Sequence, residues 1–179
     1  SRPTQDMAEA LDIQSYIEDI TSRIEDNKIR TEIEQLQTEK AYSQLAEKFA
    51  QLDKPLAVAY YLTQNSLAEQ KEDKLVKAGD YNMMLTQSAP DPKALNFLIN
   101  NAIEAYEAAN KVNPGNAGNR IKLAGAYMQQ GAEPMKGVSM LLDIVKQDST
   151  NVDAQMMLGR FGMVSGQYDK AIARFEKIL

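Results

Sequence analysis

Apolar residues recur every three or four positions along most of this chain, the spacing of one face of an α-helix. The first such run comprises Ile13, Ile17, Ile20, Ile24, Ile29, Ile33 and Leu36. Its register slips between Ile24 and Ile29. The pattern predicts an amphipathic N-terminal helical arm over residues 1–40.

The arm has two interpretations. A coiled coil needs about three or four unbroken heptads, which the slip interrupts. The apolar seam therefore packs either on its own chain or on a second copy. If the seam packs on a second copy, the protein would be a structural homo-oligomer in which the arm self-associates and the rest of the chain acts as a spacer.

Residues 41–71 predict a helical hairpin. Its turn is the sequence LDKP, because proline favours the first position of a helix. The apolar face comprises Leu45, Phe49, Leu56, Ala59, Tyr60 and Leu67.

The second half of the chain contains an internal repeat, with Leu123 and Leu158 35 residues apart. One copy has the series Leu123, Ala124, Tyr127, Gly131, Gly137 and Leu141, and the next has Leu158, Gly159, Gly162, Gly166, Ala171 and Phe175. Part of an earlier copy is seen in Ala102, Tyr106, Ala109 and Pro114. Small residues at Gly159 and Ala171 let two antiparallel helices approach, while Leu158 and Phe175 fill the space around them.

These positions resemble the tetratricopeptide repeat (TPR), a helical hairpin with a period of about 34 residues. The resemblance implies an all-α fold of antiparallel hairpins stacked as a right-handed solenoid, preceded by the arm. It divides the chain into a degenerate hairpin at 41–71, an expanded repeat at 72–116, a repeat at 117–151 and a truncated repeat at 152–179.

The expanded repeat requires about eleven extra residues around the sequence QSAPDPKAL. Asp91 and Pro92 are typical of a helix N-cap and first helical position, so the second helix is expected to start there. The inserted loop is either functional or a tolerated surface insertion. In the repeat that follows, Pro134 is expected to begin the second helix.

In TPR proteins the first helix of each repeat lines a concave groove that binds polypeptides. The resemblance places there Ile121, Lys122, Gly125, Met128, Gln129, Met156, Met157, Arg160, Met163 and Val164. The clamp for a peptide carboxylate is not evident, because its usual Asn position holds Lys122 or Met157. A Met-rich lining suits an apolar peptide or helix. Alternatively, the methionines simply pack between repeats.

The amino-acid composition excludes several kinds of catalytic and metal-binding site. The chain has no Cys and no His, so it lacks a thiol nucleophile, an imidazole base and the usual zinc ligands. Its carboxylates lie in charge-rich helices, where a solvated surface explains them. A net charge of −5 argues against nucleic acid as a partner. We therefore expect a protein-interaction scaffold, not an enzyme, that binds a protein or peptide without cofactor or metal.

The sequence starts at Ser1 and ends inside a helical pattern, so we expect it to be an excised fragment. It contains no run of about 18 apolar residues, and we expect no direct membrane contact from this fragment. The general character of its sequence is similar to that of bacterial repeat proteins anchored in the cell envelope. A periplasmic or envelope location through a removed N-terminal anchor is therefore an expectation, with the cytoplasm as the alternative.

Overall fold

The computed structural model describes residues 9–179, and within that range it contains helices and no strand. The helices are α1 (Ile13–Ser22), α2 (Asn27–Thr38), α3 (Tyr42–Gln51), α4 (Pro55–Glu69), α5 (Glu72–Leu85), α6 (Pro92–Val112), α7 (Ala117–Gln130), α8 (Pro134–Gln147), α9 (Val152–Val164) and α10 (Tyr168–Glu176). The described residues form two compact units, which divide between Val112 and Asn113. We call them the N-terminal and C-terminal units.

The arm is divided into two helices at the point where the apolar register slips. Asp12 caps α1 by accepting a hydrogen bond from the Ser15 backbone N–H at 3.2 Å. Asp26 caps α2 by accepting from the backbone N–H of Lys28 at 2.8 Å. The first eight residues of the predicted arm lie outside the described range.

The apolar seam of the arm packs on its own chain. Ile17 and Ile33 are fully buried in one core cluster with Phe49 and Tyr61. The Phe49 and Tyr61 rings stack with their centroids 5.6 Å apart. Of the two interpretations of the seam, this structure shows the intramolecular one, in which α1 and α2 help to build the core of the N-terminal unit.

A buried polar contact joins α4 to α5. The Asn82 side-chain amide donates to Thr63 Oγ1 and to the Ala78 carbonyl oxygen, each at 2.9 Å. Thr63 Oγ1 in turn donates to the Ala59 carbonyl oxygen at 2.9 Å. Because a buried polar group is costly without a partner, this contact favours one register between the two helices.

The turn between α4 and α5 holds a small ionic cluster around Glu69. Lys74 Nζ lies 2.7 Å from Glu69 Oε1, and Lys71 Nζ lies 3.2 Å from Oε2. The Asn65 amide also donates to Oε1 at 2.9 Å. These contacts, that from Lys74 foremost, lower the pKa of Glu69 to about 2 from its ordinary value of 4.5.

We predict that Glu69→Gln destabilises the protein at neutral pH and has little effect near pH 2. A carboxylate with a depressed folded-state pKa stabilises the fold above its unfolded-state pKa, and this contribution is lost as the pH falls through the folded-state value. Urea unfolding of the unmodified protein and of Glu69→Gln, from neutral pH to about pH 2, measures the difference in their free energies of unfolding.

Asp73→Asn is the matched control for this prediction. Its partner Lys77 is 3.9 Å away, and both side chains are mostly exposed, so the pair contributes little. A loss of stability in Glu69→Gln that stayed constant down to pH 2 would contradict the prediction.

The α5/α6 hairpin contains the predicted insertion. Asp91 Oδ1 accepts a hydrogen bond from the Ala94 backbone N–H at 2.8 Å, and α6 begins at Pro92, which confirms the predicted helix start. The connection itself is short, with a 3₁₀ turn at Thr86–Ser88, whereas α6 is 21 residues long. Much of the inserted length is therefore helix, not loop.

Gly79 on α5 allows the two helices of this hairpin to approach. A Cβ atom there would lie 2.6 Å from Cδ1 and 2.7 Å from Cζ of Tyr106, whose ring covers the glycine. The Tyr106 hydroxyl donates to Asp80 Oδ1 at 2.7 Å. Burial, together with this contact to Asp80, raises the pKa of Tyr106 above its ordinary value.

Candidate partner-binding surface in the C-terminal unit

The α7/α8 hairpin is defined by its caps and by one close approach. Asn116 caps α7, and Gly131 ends it with φ of 76°, a conformation that glycine adopts at little cost. Helix α8 begins at Pro134, as predicted. Gly137 on α8 lies against the Ala124 carbonyl of α7, so there is no space for a Cβ atom between these two helices.

The α9/α10 hairpin is built in a similar way. Asn151 caps α9 by accepting from the Ala154 backbone N–H at 3.0 Å. A Cβ atom at Gly159 would lie 2.7 Å from Cζ of Phe175, and one at Gly162 would lie 3.2 Å from Ala171 Cβ. The prediction that small residues let these two helices approach, with Phe175 filling the space around them, is confirmed.

The contact between a glycine on the first helix and an aromatic ring on the second also locates the insertion in the expanded repeat. Gly79 and Tyr106 are 27 positions apart, whereas the corresponding Gly159 and Phe175 are 16 apart. The difference, 27 − 16, is the eleven residues expected from the sequence.

Helices α7 and α9 lie next to each other. A Cβ atom at Gly125 would lie 3.2 Å from Met157 Cε and 3.5 Å from its Sδ. Met157 and Met128 both pack against the core cluster that contains Ile121 and Leu158. The two helices predicted to line the groove therefore share one surface.

The predicted groove residues differ in accessibility. Ile121 is buried in the core. Gly125, Met128, Met156 and Met157 are half-buried. The remaining five are exposed: Lys122, Gln129, Arg160, Met163 and Val164. We call these five residues the α7/α9 face.

Two apolar side chains stand out on the α7/α9 face. Met163 is 52% exposed and Val164 is 90% exposed, at the C-terminal end of α9. Arg160 is exposed one turn earlier on the same helix. The face thus combines apolar surface with polar and cationic groups, an arrangement suited to contacting a polypeptide.

A second apolar surface in this unit was not predicted from the sequence. It is a groove with an open volume of about 360 Å³ between α8 and α10, with α9 as its floor. Its apolar lining comprises Met135, Val138, Leu142, Leu158 and Phe161. We call it the α8/α10 groove. The spacing of Met135, Val138 and Leu142 by three and four was an available signal of a shared face, although it did not show whether that face is covered.

The described residues offer little for ligand chemistry of other kinds. Within 9–179, no group of three or more acidic side chains is arranged to hold a metal ion. Every helix in this range is also too short or too polar to span a lipid bilayer.

Comparison with known proteins supports the fold. No family model matches the sequence, and no curated protein matches it. Among solved structures, the crystal structure of MamA, a TPR-like protein, matches with a TM-score of 0.54 at 18% identity, and the match covers 84% of each chain. At this identity the likeness concerns the fold alone. It confirms the predicted all-α arrangement of consecutive helical hairpins of the helical-repeat kind, whereas the handedness of their stacking stays a prediction.

Proposed function

We propose that this protein is an interaction scaffold that binds a polypeptide segment on the α7/α9 face. The observation that carries the proposal is the contact between Gly125 and Met157, which makes one continuous surface from α7 and α9. This surface ends in the exposed Met163 and Val164. The helical-repeat fold supports it, because stacked hairpins create extended surfaces for partners.

The chemistry of the face suggests the kind of segment bound. Met163 and Val164 provide apolar contact area, and a flexible thioether adapts to varied shapes. Lys122, Gln129 and Arg160, the exposed polar residues of the face, carry N–H groups of the kind that bind backbone carbonyls or carboxylates. We infer an apolar peptide or helix with polar groups at its edges. The absence of Cys and His from the chain is in keeping with binding rather than catalysis.

Met128 is a poor position at which to test this proposal. Met128 lies in the hairpin interior, since a Cβ atom at Gly137 would be 2.8 Å from Met128 Cγ. A charge at Met128 would therefore disturb folding as well as binding. Met163 and Val164 are better targets because their side chains are largely in solvent.

We predict that Met163→Lys combined with Val164→Lys weakens binding of selected peptides about tenfold or more, because two apolar contacts of about 1 kcal/mol each are lost. The peptides would be selected from a displayed library of random 16-residue sequences, using the purified chain as bait. Fluorescence anisotropy of each labelled peptide measures its affinity for both proteins.

Lys146→Glu provides a control on the same unit, since this exposed residue of α8 lies outside the face. It should change affinity less than twofold. Failure to select any peptide, or equal binding by the double variant, would refute the α7/α9 face as the binding site. A location in the cell envelope stays a prediction.

A further inference from the structure

The α8/α10 groove has one apolar wall and one cationic wall. Met135 and Leu142 on α8 are 62% and 41% exposed, so the groove presents apolar surface to solvent. On the opposite wall, Lys170 and Arg174 of α10 border the groove. No carboxylate is among the residues that line it.

The two cations are not neutralised by their surroundings. Lys170 Nζ donates to Gln167 Oε1 at 2.9 Å, and Arg174 Nη1 donates to Gln155 Oε1 at 3.2 Å. Both acceptors are neutral amides. Within the described residues, neither cation has a carboxylate within ion-pair distance. The groove is therefore a locally positive site on a chain whose net charge is −5.

Because the α8/α10 groove has one apolar wall and one positively charged wall, we propose that it binds an amphipathic helix that carries acidic residues along one edge of its apolar stripe. The apolar side chains of the helix would lie on Met135, Leu142 and Phe161. Its carboxylates would pair with Lys170 and Arg174. This site is separate from the α7/α9 face and does not depend on the function proposed for it.

The dimensions and the chemistry favour a helix over an extended peptide. Met135 and Leu142 are seven residues apart, about 10 Å along α8, which matches two turns of a ligand helix with apolar residues at i, i+3 or i+4, and i+7. Lys170 and Arg174 are one turn apart, which matches two acidic residues at i and i+4. A helix also satisfies its own backbone hydrogen bonds, whereas the apolar wall offers an extended backbone no partners.

The test uses two designed 18-residue peptides with the same leucine stripe. One has glutamates along one edge of the stripe, and the other has lysines at the same positions. Fluorescence anisotropy with the full chain is expected to show at least tenfold tighter binding of the glutamate peptide. Lys170→Glu should remove most of this preference, because it reverses a charge on the groove wall. Leu142→Gln should weaken binding of the glutamate peptide by about tenfold.

Lys146→Glu is the matched control, since it makes the same charge reversal outside the groove. It should shift affinity less than twofold, as should Met163→Lys with Val164→Lys, which separates this proposal from the one for the α7/α9 face. Circular dichroism checks that each variant is folded. Lys170 is exposed and its ammonium group donates to the Gln167 side chain, so we expect its replacement to leave the core intact.

Three results would overturn the proposal. The first is equal affinity for the two peptides, or no binding of either, which would exclude an acidic helix. The second is an effect of Lys170→Glu no larger than that of Lys146→Glu. The third is a concentration-dependent oligomer that Leu142→Gln converts to a monomer in sedimentation, which would identify a second copy of the chain as the occupant.

Discussion

Replacing Ile33 with alanine is expected to lower the free energy of unfolding by about 2–5 kcal/mol, the usual cost of truncating a large aliphatic side chain in a core. Ile33 is 0% exposed and packs in the cluster with Ile17, Phe49 and Tyr61. Urea unfolding followed by circular dichroism measures the change. Glu34→Ala, on the exposed side of the same helix, should change stability by less than about 0.5 kcal/mol.

This prediction separates the two interpretations of the arm. If the seam were reserved for a second copy, Ile33→Ala would leave the stability of the monomer unchanged and would weaken an oligomer instead. Sedimentation of the same variant provides that measurement. A truncated chain that begins near Ala41 would not distinguish the two interpretations, because removing α1 and α2 would uncover Phe49 and Tyr61. Such a truncation would test folding rather than association.

The second large effect is expected for Gly137→Ala. The new methyl group would overlap the Ala124 carbonyl oxygen of α7 and would lie 2.8 Å from Met128 Cγ. A backbone atom cannot move aside unless α7 and α8 separate, so we expect a net loss of about 1–3 kcal/mol. This outcome is opposite in sign to the gain of about 1 kcal/mol that alanine usually gives over glycine within a helix.

Gly125→Ala is the matched comparison, because Gly125 is also a glycine within a helix of the same unit. Its methyl group would meet only the flexible end of Met157, 3.2 Å from Cε. We expect stability to stay the same or to rise by less than about 1 kcal/mol. Hydrogen exchange read on α7 to α10 reports both variants within the C-terminal unit. Equal stability of the two variants would contradict the close approach at Gly137.

Local signals in the sequence predicted where several helices begin. Asp91 and Pro92 mark the start of α6, and Pro134 marks the start of α8, because capping and proline geometry depend on a few neighbouring residues. The register slip after Ile24 coincides with the break between α1 and α2. The break could have been predicted from Asp26, which is a good N-cap residue ahead of Asn27–Thr38.

The candidate surfaces were less predictable than the helices. Ile121 and Val164 were both assigned to the groove by their repeat positions, yet Ile121 is buried and Val164 is largely exposed. Repeat position specifies the side of the helix on which a residue lies. The packing of α7 on α9 then decides which of these residues stay in solvent.

The sequence by itself determined the helical class, the hairpin pattern and the small residues that let α9 approach α10, because periodicity and small residues at fixed spacing are local properties of the chain. Only the tertiary structure decided that the arm seam is filled by its own chain and that α8 and α10 leave an apolar groove bordered by Lys170 and Arg174. The physical reason is that an apolar stripe must be covered, but its spacing does not specify what covers it.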